Sequence, residues 1–173
     1  MQKILIVVDM QNDFIDGALG TPEAVAIVPT VEQKIREFPG KVIFTRDTHG
    51  ERYLETQEGK HLPVPHCIKG TKGWEICPQL EALREAEAID KVTFGSEKLG
   101  ELLQEENRKE QIEDITLVGL CTDICVISNA LLLKAFLPDT PIIVDASCCA
   151  GVTPKSHETA LDAMRMCQIN IER

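Results

Sequence analysis

Four short apolar runs, at residues 4–8, 42–45, 115–120 and 142–144, are rich in β-branched residues and continuous rather than alternating. Strands covered on both faces read this way, because a side chain pointing to either side of the sheet must leave water. Between them, stretches at 25–38, 78–86, 98–106, 122–137 and 154–167 carry a helical period. A weaker strand at 88–92 and a last one at 168–171 complete a sheet of five to six strands. The order strand, helix, strand predicts a doubly wound, mostly parallel α/β sheet with helices on both faces. The chain has 173 residues and no linker-like tract, so a single domain over 1–173 is expected.

One region departs from that scheme. Residues 48–77 show no period and carry Gly50, Gly59, Gly70 and Gly73 with Pro63 and Pro65. Loops of this length in compact domains are functional or disordered, and the histidines and Trp74 of this one favour function. The acidic stretch at 101–113 reads as a solvated helix face.

Charge and cysteine usage narrow the partners. With 28 acidic against 18 basic residues the net charge is -10, which repels phosphate backbones and anionic lipid surfaces. Nucleic acid and membrane are therefore not expected partners, and no apolar run approaches the ~20 residues that cross a bilayer. The N-terminus runs from Lys3 straight into the first strand without a small-residue cleavage site, so a cytoplasmic location is expected. Seven cysteines, an odd number with no CxxC pair, are expected to be reduced thiols.

In an open α/β sheet, ligands bind beyond the carboxyl ends of the strands. Strand one ends in Asp9, strand two in Asp47, the weak third strand in Lys91, and the fourth in the stretch Gly119-Leu120-Cys121-Thr122-Asp123-Ile124-Cys125. Cys125 is the candidate nucleophile: with Thr122 capping the helix, it would sit in the first turn, where free N–H groups and the helix dipole favour a thiolate. Lys91 would lower the thiol pKa further, and Asp9 would take the thiol proton and pass it to a leaving group. Each residue alone has a plainer reading, as buried thiol, surface lysine or loop cap; their shared edge is what joins them. Asp47, His49 and His66 supply a carboxylate and two imidazoles, donors suited to Zn, Fe or Mn, and a metal there would order the irregular loop.

These residues lie in VDMQNDF (8–14), TRDTH (45–49), PHCIKGTKGWE (65–75), Lys91 and GLCTDICV (119–126). Together, in order and spacing over nearly the whole chain, they resemble the isochorismatase-like cysteine hydrolases, and within them the nicotinamidase/pyrazinamidase branch. The resemblance implies a catalytic triad of Asp9, Lys91 and Cys125 and one divalent ion, zinc first and iron or manganese next, on Asp47, His49 and His66. It also implies a cis peptide before Cys121 that aims the backbone N–H groups of Cys121 and Cys125 at an oxyanion, and a ring-stacking role for Phe14. The implied activity is hydrolysis of nicotinamide to nicotinate and ammonia through a thioester. The expected partners are a small-molecule amide and further copies of the chain in a homo-oligomer whose order the sequence leaves open. Pro63 stands where nicotinamidases commonly place an aromatic, Val92-Thr93-Phe94-Gly95-Ser96 where they carry a Tyr-Ser-containing stretch, and the chain is short for the branch. Another small amide or carbamoyl compound, or binding without turnover, therefore stays open, as does a part for Glu58 at the metal.

Overall fold

The computed structural model describes residues 1–173. In chain order its elements are β1 (Gln2–Val8), a single turn α1 (Asn12–Ile15), α2 (Pro22–Glu37), β2 (Lys41–Asp47), α3 (Gln57–His61), α4 (Pro78–Glu81), β3 (Ile89–Lys91) and α5 (Glu97–Lys109). There follow β4 (Ile112–Leu120), a π-helical turn (Thr122–Val126), α6 (Ile127–Phe136), β5 (Ile142–Ala150), α7 (Pro154–Met166) and β6 (Asn170–Glu172). The six strands form one parallel sheet in the order β3-β2-β1-β4-β5-β6. No helix is long and apolar enough to cross a membrane.

The continuous apolar strands are buried on both sides. In β1, Ile4, Ile6 and Val8 pack with α5, α6 and α7, while Leu5 and Val7 pack with α1, α2 and α4. Helix starts follow the local chemistry that satisfies free N–H groups. Thr21 accepts from Ala24 N ahead of Pro22, Ser96 accepts from Leu99 N, and Thr153 with Ser156 forms a reciprocal cap around Pro154. β1 pairs with β2 on one side and β4 on the other, so the strand order reverses between β1 and β4. That reversal opens a crevice at their carboxyl ends. Gly119 makes the approach there possible: its φ is +117°, and a Cβ at this position would strike the Val8 carbonyl.

Three expectations need correction. The stretch 78–86 is one helical turn, α4, followed by a turn at 82–83 and irregular chain. Only Leu80 is fully buried there, and the Arg84 guanidinium grips Glu81 and the Ala86 carbonyl; a helix this short with a single apolar anchor does not propagate. The stretch 122–137 is not one α-helix but the π-helical turn and then α6. Residues 48–77 are not without structure: they hold a 3-10 turn (Tyr53–Glu55) and α3, and are tied to the sheet through bridges pairing His49 with Ile68 and Gln11 with Ile76. The short outer strands also shift slightly, β3 to Ile89–Lys91 and β6 to Asn170–Glu172.

Candidate active site

Asp9 leaves β1 fully buried, with a left-handed φ of 48° that turns its side chain back across the sheet edge. Its Oδ1 accepts from the Thr45 hydroxyl at 2.7 Å. Its Oδ2 lies 2.7 Å from the ammonium of Lys91, which comes from the end of β3. Lys91 Nζ also reaches Cys125 Sγ at 3.3 Å and the Thr93 carbonyl at 3.2 Å. Two strand ends and the π-helical turn thus bring Asp9, Lys91 and Cys125 into one buried contact set. Asp9 Oδ2, although beside the ammonium, accepts no hydrogen bond of good geometry, which leaves a lone pair for a thiol proton.

Electrostatics inside this set differ from the expectation of a low-pKa thiol. Burial pushes the Cys125 thiol well above its ordinary value, and the Asp9 carboxylate adds to that, outweighing the lowering by Lys91. Burial also lifts Asp9 above the usual carboxylate range against the pull of Lys91. For Lys91 burial favours the neutral amine, but Asp9, Cys125 and Asp47 together hold it charged, well above its ordinary value. Burial thus favours the neutral thiol at Cys125, while the 2.7 Å contact with Asp9 favours the charged form of Lys91. Thr122 does not cap the turn either; its hydroxyl meets His157 Nδ1 at 2.7 Å. Cys121 follows a cis peptide bond with Leu120, and burial pushes its thiol up to about 12.

The second cluster begins at Asp47, the last residue of β2. His49 Nε2 lies 2.9 Å and His66 Nε2 3.5 Å from Asp47 Oδ2, and Glu58 on α3 closes the group at 3.5 Å from His49. One donor atom from each of Asp47, His49, Glu58 and His66 lies within 4.8 Å of every other. Burial alone would raise the Asp47 carboxyl, yet hydrogen bonds with His49 and His66 hold it well below the usual range. Two observations fit these residues to a divalent ion: the two-nitrogen, two-oxygen donor set, and Asp47 Oδ1, buried without a hydrogen-bond partner. His66 Nδ1 is engaged by the Val64 carbonyl at 2.8 Å, so Nε2 points into the cluster. Tyr53 packs edge-on against both imidazoles, at 4.7 and 5.0 Å.

Both clusters open on a cavity of about 650 Å³ lined by Cys121, Cys125, Asp47, Glu58 and His66 together with apolar side chains that include Phe14, Phe94 and Val152. Phe14 meets the His66 ring edge-on at 5.5 Å. Residues the sequence reading passed over hold this arrangement in place. The Gln11 amide clamps Asp47 through both backbone groups, Asp13 accepts from Cys67 N at 2.8 Å beside His66, and Thr45 orients Asp9. The density of polar residues directly after β1 was the available signal. The part for Glu58 at the metal that the sequence left open is favoured by α3, which brings its carboxylate to 3.5 Å from His49 Nε2.

A thiol, a carboxylate and an ammonium in contact at the carboxyl edge of a parallel sheet, across a cavity from a metal-type cluster, define an α/β enzyme of the cysteine-hydrolase type. Residues 3–172 match the isochorismatase domain, and the chain belongs to that family. It is 27% identical over 187 residues to the nicotinamidase/pyrazinamidase of Mycobacterium tuberculosis, spanning 98% of this chain and 97% of that protein. It is 30% identical over 173 residues to the isochorismatase family protein PncA of Bacillus subtilis, spanning 93% of each. Among solved structures, the pyrazinamidase of Pyrococcus horikoshii in complex with zinc superposes with a TM-score of 0.80 at 28% identity, covering 100% of this chain and 99% of that one.

Proposed function

We propose that this chain is a metal-assisted cysteine amidohydrolase that converts nicotinamide to nicotinate and ammonia. The observation that carries the reading is the shared cavity: Cys125, whose sulfur lies 3.3 Å from the Lys91 ammonium, borders the same space as the Asp47, Glu58 and His66 donors. The relatives named nicotinamidase or pyrazinamidase, and the zinc complex of the Pyrococcus horikoshii protein, support the substrate and make zinc the metal of choice.

Because Cys125 rests as a thiol, its proton moves only when an amide carbon is in place. Asp9, a stronger base than an ordinary carboxylate, accepts that proton as sulfur bonds to the carbonyl carbon. Lys91 stays charged and holds Asp9 and the sulfur in line. The backbone N–H groups of Cys121 and Cys125 serve the oxyanion. Asp9 then returns the proton to the amide nitrogen, the C–N bond breaks and ammonia leaves. Water, deprotonated by Asp9, attacks the thioester; the C–S bond breaks, the acid departs and the proton ends on Cys125. A divalent ion held by Asp47, His49, Glu58 and His66 would supply a Lewis-acidic position for a ring nitrogen, orienting the substrate. Phe14 packs on the ring. All seven cysteines are free, which suits a reducing compartment such as the cytoplasm.

The test is ammonia release by the metal-loaded protein. Nicotinamide should be hydrolysed at least about a hundredfold better than benzamide, which lacks the ring nitrogen that a built polar position recognises. Equal rates on both would remove the metal as ring anchor. Faster turnover of an open-chain carbamoyl compound would replace nicotinamide as the substrate.

A further inference from the structure

Residues 92–96, between Lys91 and α5, border the cavity through Val92, Thr93 and Phe94, yet all three are exposed. Few buried apolar contacts hold this segment, so its position rests on hydrogen bonds. Two of them converge on one fully buried side chain, Asn129 of α6. Asn129 Oδ1 accepts from Ser96 N at 2.9 Å, and Nδ2 donates to the Phe94 carbonyl at 3.0 Å. The other hydrogen of Nδ2 goes to the carbonyl of Cys125 at 2.8 Å. Both amide donors and the acceptor are therefore spent joining the segment to the turn that carries the thiol. The same segment supplies the Thr93 carbonyl to Lys91 Nζ.

We propose that Asn129 is a positioning residue: it fixes the substrate wall formed by residues 92–96 against the nucleophile turn, so that Phe94 faces the bound ring at a set distance from Cys125 Sγ. No smaller polar side chain does both tasks. A threonine on a helix can return a bond to the carbonyl one turn back, which here is Cys125, but its hydroxyl has no second donor for Phe94 and no amide-length reach to Ser96.

The kinetic consequence rests on the amidohydrolase reading above; a chemical consequence does not. Asn129→Thr conserves volume and the bond to Cys125, while Asn129→Ala removes all three bonds. In both, KM for nicotinamide should rise about tenfold while kcat falls less than about threefold, because the lost interaction is with bound substrate rather than with the reacting atoms. Phe94→Ala should reproduce the rise in KM. Independently of turnover, Cys125 is alkylated with iodoacetamide and with its N-phenyl analogue, and the aryl-to-plain rate ratio reads the wall; it should fall several-fold in both Asn129 variants. A merely structural Asn129 would lower the melting temperature and kcat in proportion to the folded fraction, with KM and the alkylation ratio unchanged, and that result in the folded Asn129→Thr protein overturns the proposal. A falling ratio in a protein that never hydrolyses nicotinamide leaves Asn129 in its role and removes the proposed substrate. Normal hydrolysis with an unmoved KM and ratio does the reverse.

Discussion

Gln11 and Asp47 hold each other through both ends of one amide: Gln11 Nε2 donates to the Asp47 carbonyl and Asp47 N donates to Gln11 Oε1, each at 2.8 Å. The same Nε2 donates to the Trp74 carbonyl at 2.8 Å, so the fully buried Gln11 ties the end of β2 to the loop that closes on the metal-type cluster.

Gln11→Leu should therefore act on the metal. It leaves buried backbone groups at Asp47 and Trp74 unpaired, at about 1–3 kcal/mol each. Loss of such an outer support lowers metal affinity by about 10–100-fold. Competition against a fluorescent zinc chelator measures the affinity. For the parent protein, zinc at a thousand times its Kd stabilises by about 4 kcal/mol, so stripping the ion should lower the melting temperature and the activity together. A parent protein that melts at one temperature with and without strong chelator, and takes up no zinc, would refute the metal site and with it the effect of Gln11.

His157 and Thr122 offer a readout in stability. His157 is half-buried on α7, and burial pushes its ring below the usual 6.5, with Glu158 partly opposing. Below that value the unfolded ring takes up a proton while the folded ring does not, so the unfolded state binds more protons and stability falls as pH drops. The loss begins near 6.5 and levels off once the folded ring is protonated too. His157→Asn keeps an acceptor for the Thr122 hydroxyl but cannot titrate. Its melting temperature should drop less than that of the parent between pH 7 and pH 5; parallel curves would show that His157 is not buried neutral.

What the sequence made legible follows from which interactions are local. β1 reads as a two-sided strand because Ile4 to Val8 leave no polar face, and its end residue Asp9 is exposed to inspection by the rule that parallel sheets bind at their carboxyl edge. Asp47 and Lys91 are found the same way. Partners brought in from afar are not: Thr122 looks like a helix cap from its neighbours, but its hydroxyl goes to His157, 35 residues on. Asn129 reads as an unremarkable polar residue in an apolar helix until the 92–96 segment packs above it. The Cys125 thiolate failed for a related reason. Helix position and a nearby lysine argue for ionisation, but the burial that opposes it is a property of the assembled sheet edge.

That reversal yields the sharpest test. Three causes raise the Cys125 thiol, burial first, then the Asp9 carboxylate and last that of Asp47, and one lowers it, Lys91 at 3.3 Å from the sulfur. Asp9→Asn removes the nearer carboxylate and keeps the ammonium 3.3 Å from the sulfur, with Asp47 Oδ1 at 3.7 Å as its remaining carboxylate partner, so the thiol pKa should fall. At neutral pH a drop of one unit gives about tenfold more thiolate, and iodoacetamide should label Cys125 faster in Asp9→Asn than in the parent. Turnover should fall by about a thousandfold in the same variant, since the base that moves the proton in both half-reactions is gone. In the parent, labelling should climb steadily toward alkaline pH rather than level off in mild acid. Cys125→Ala should abolish both labelling at this site and activity, whereas Cys121→Ala, whose backbone N–H is unaltered, should keep most activity. Slower labelling in Asp9→Asn would mean that Asp9 holds the sulfur ionised, in which case the resting state is a thiolate–ammonium pair and Asp9 enters the chemistry only at the leaving group.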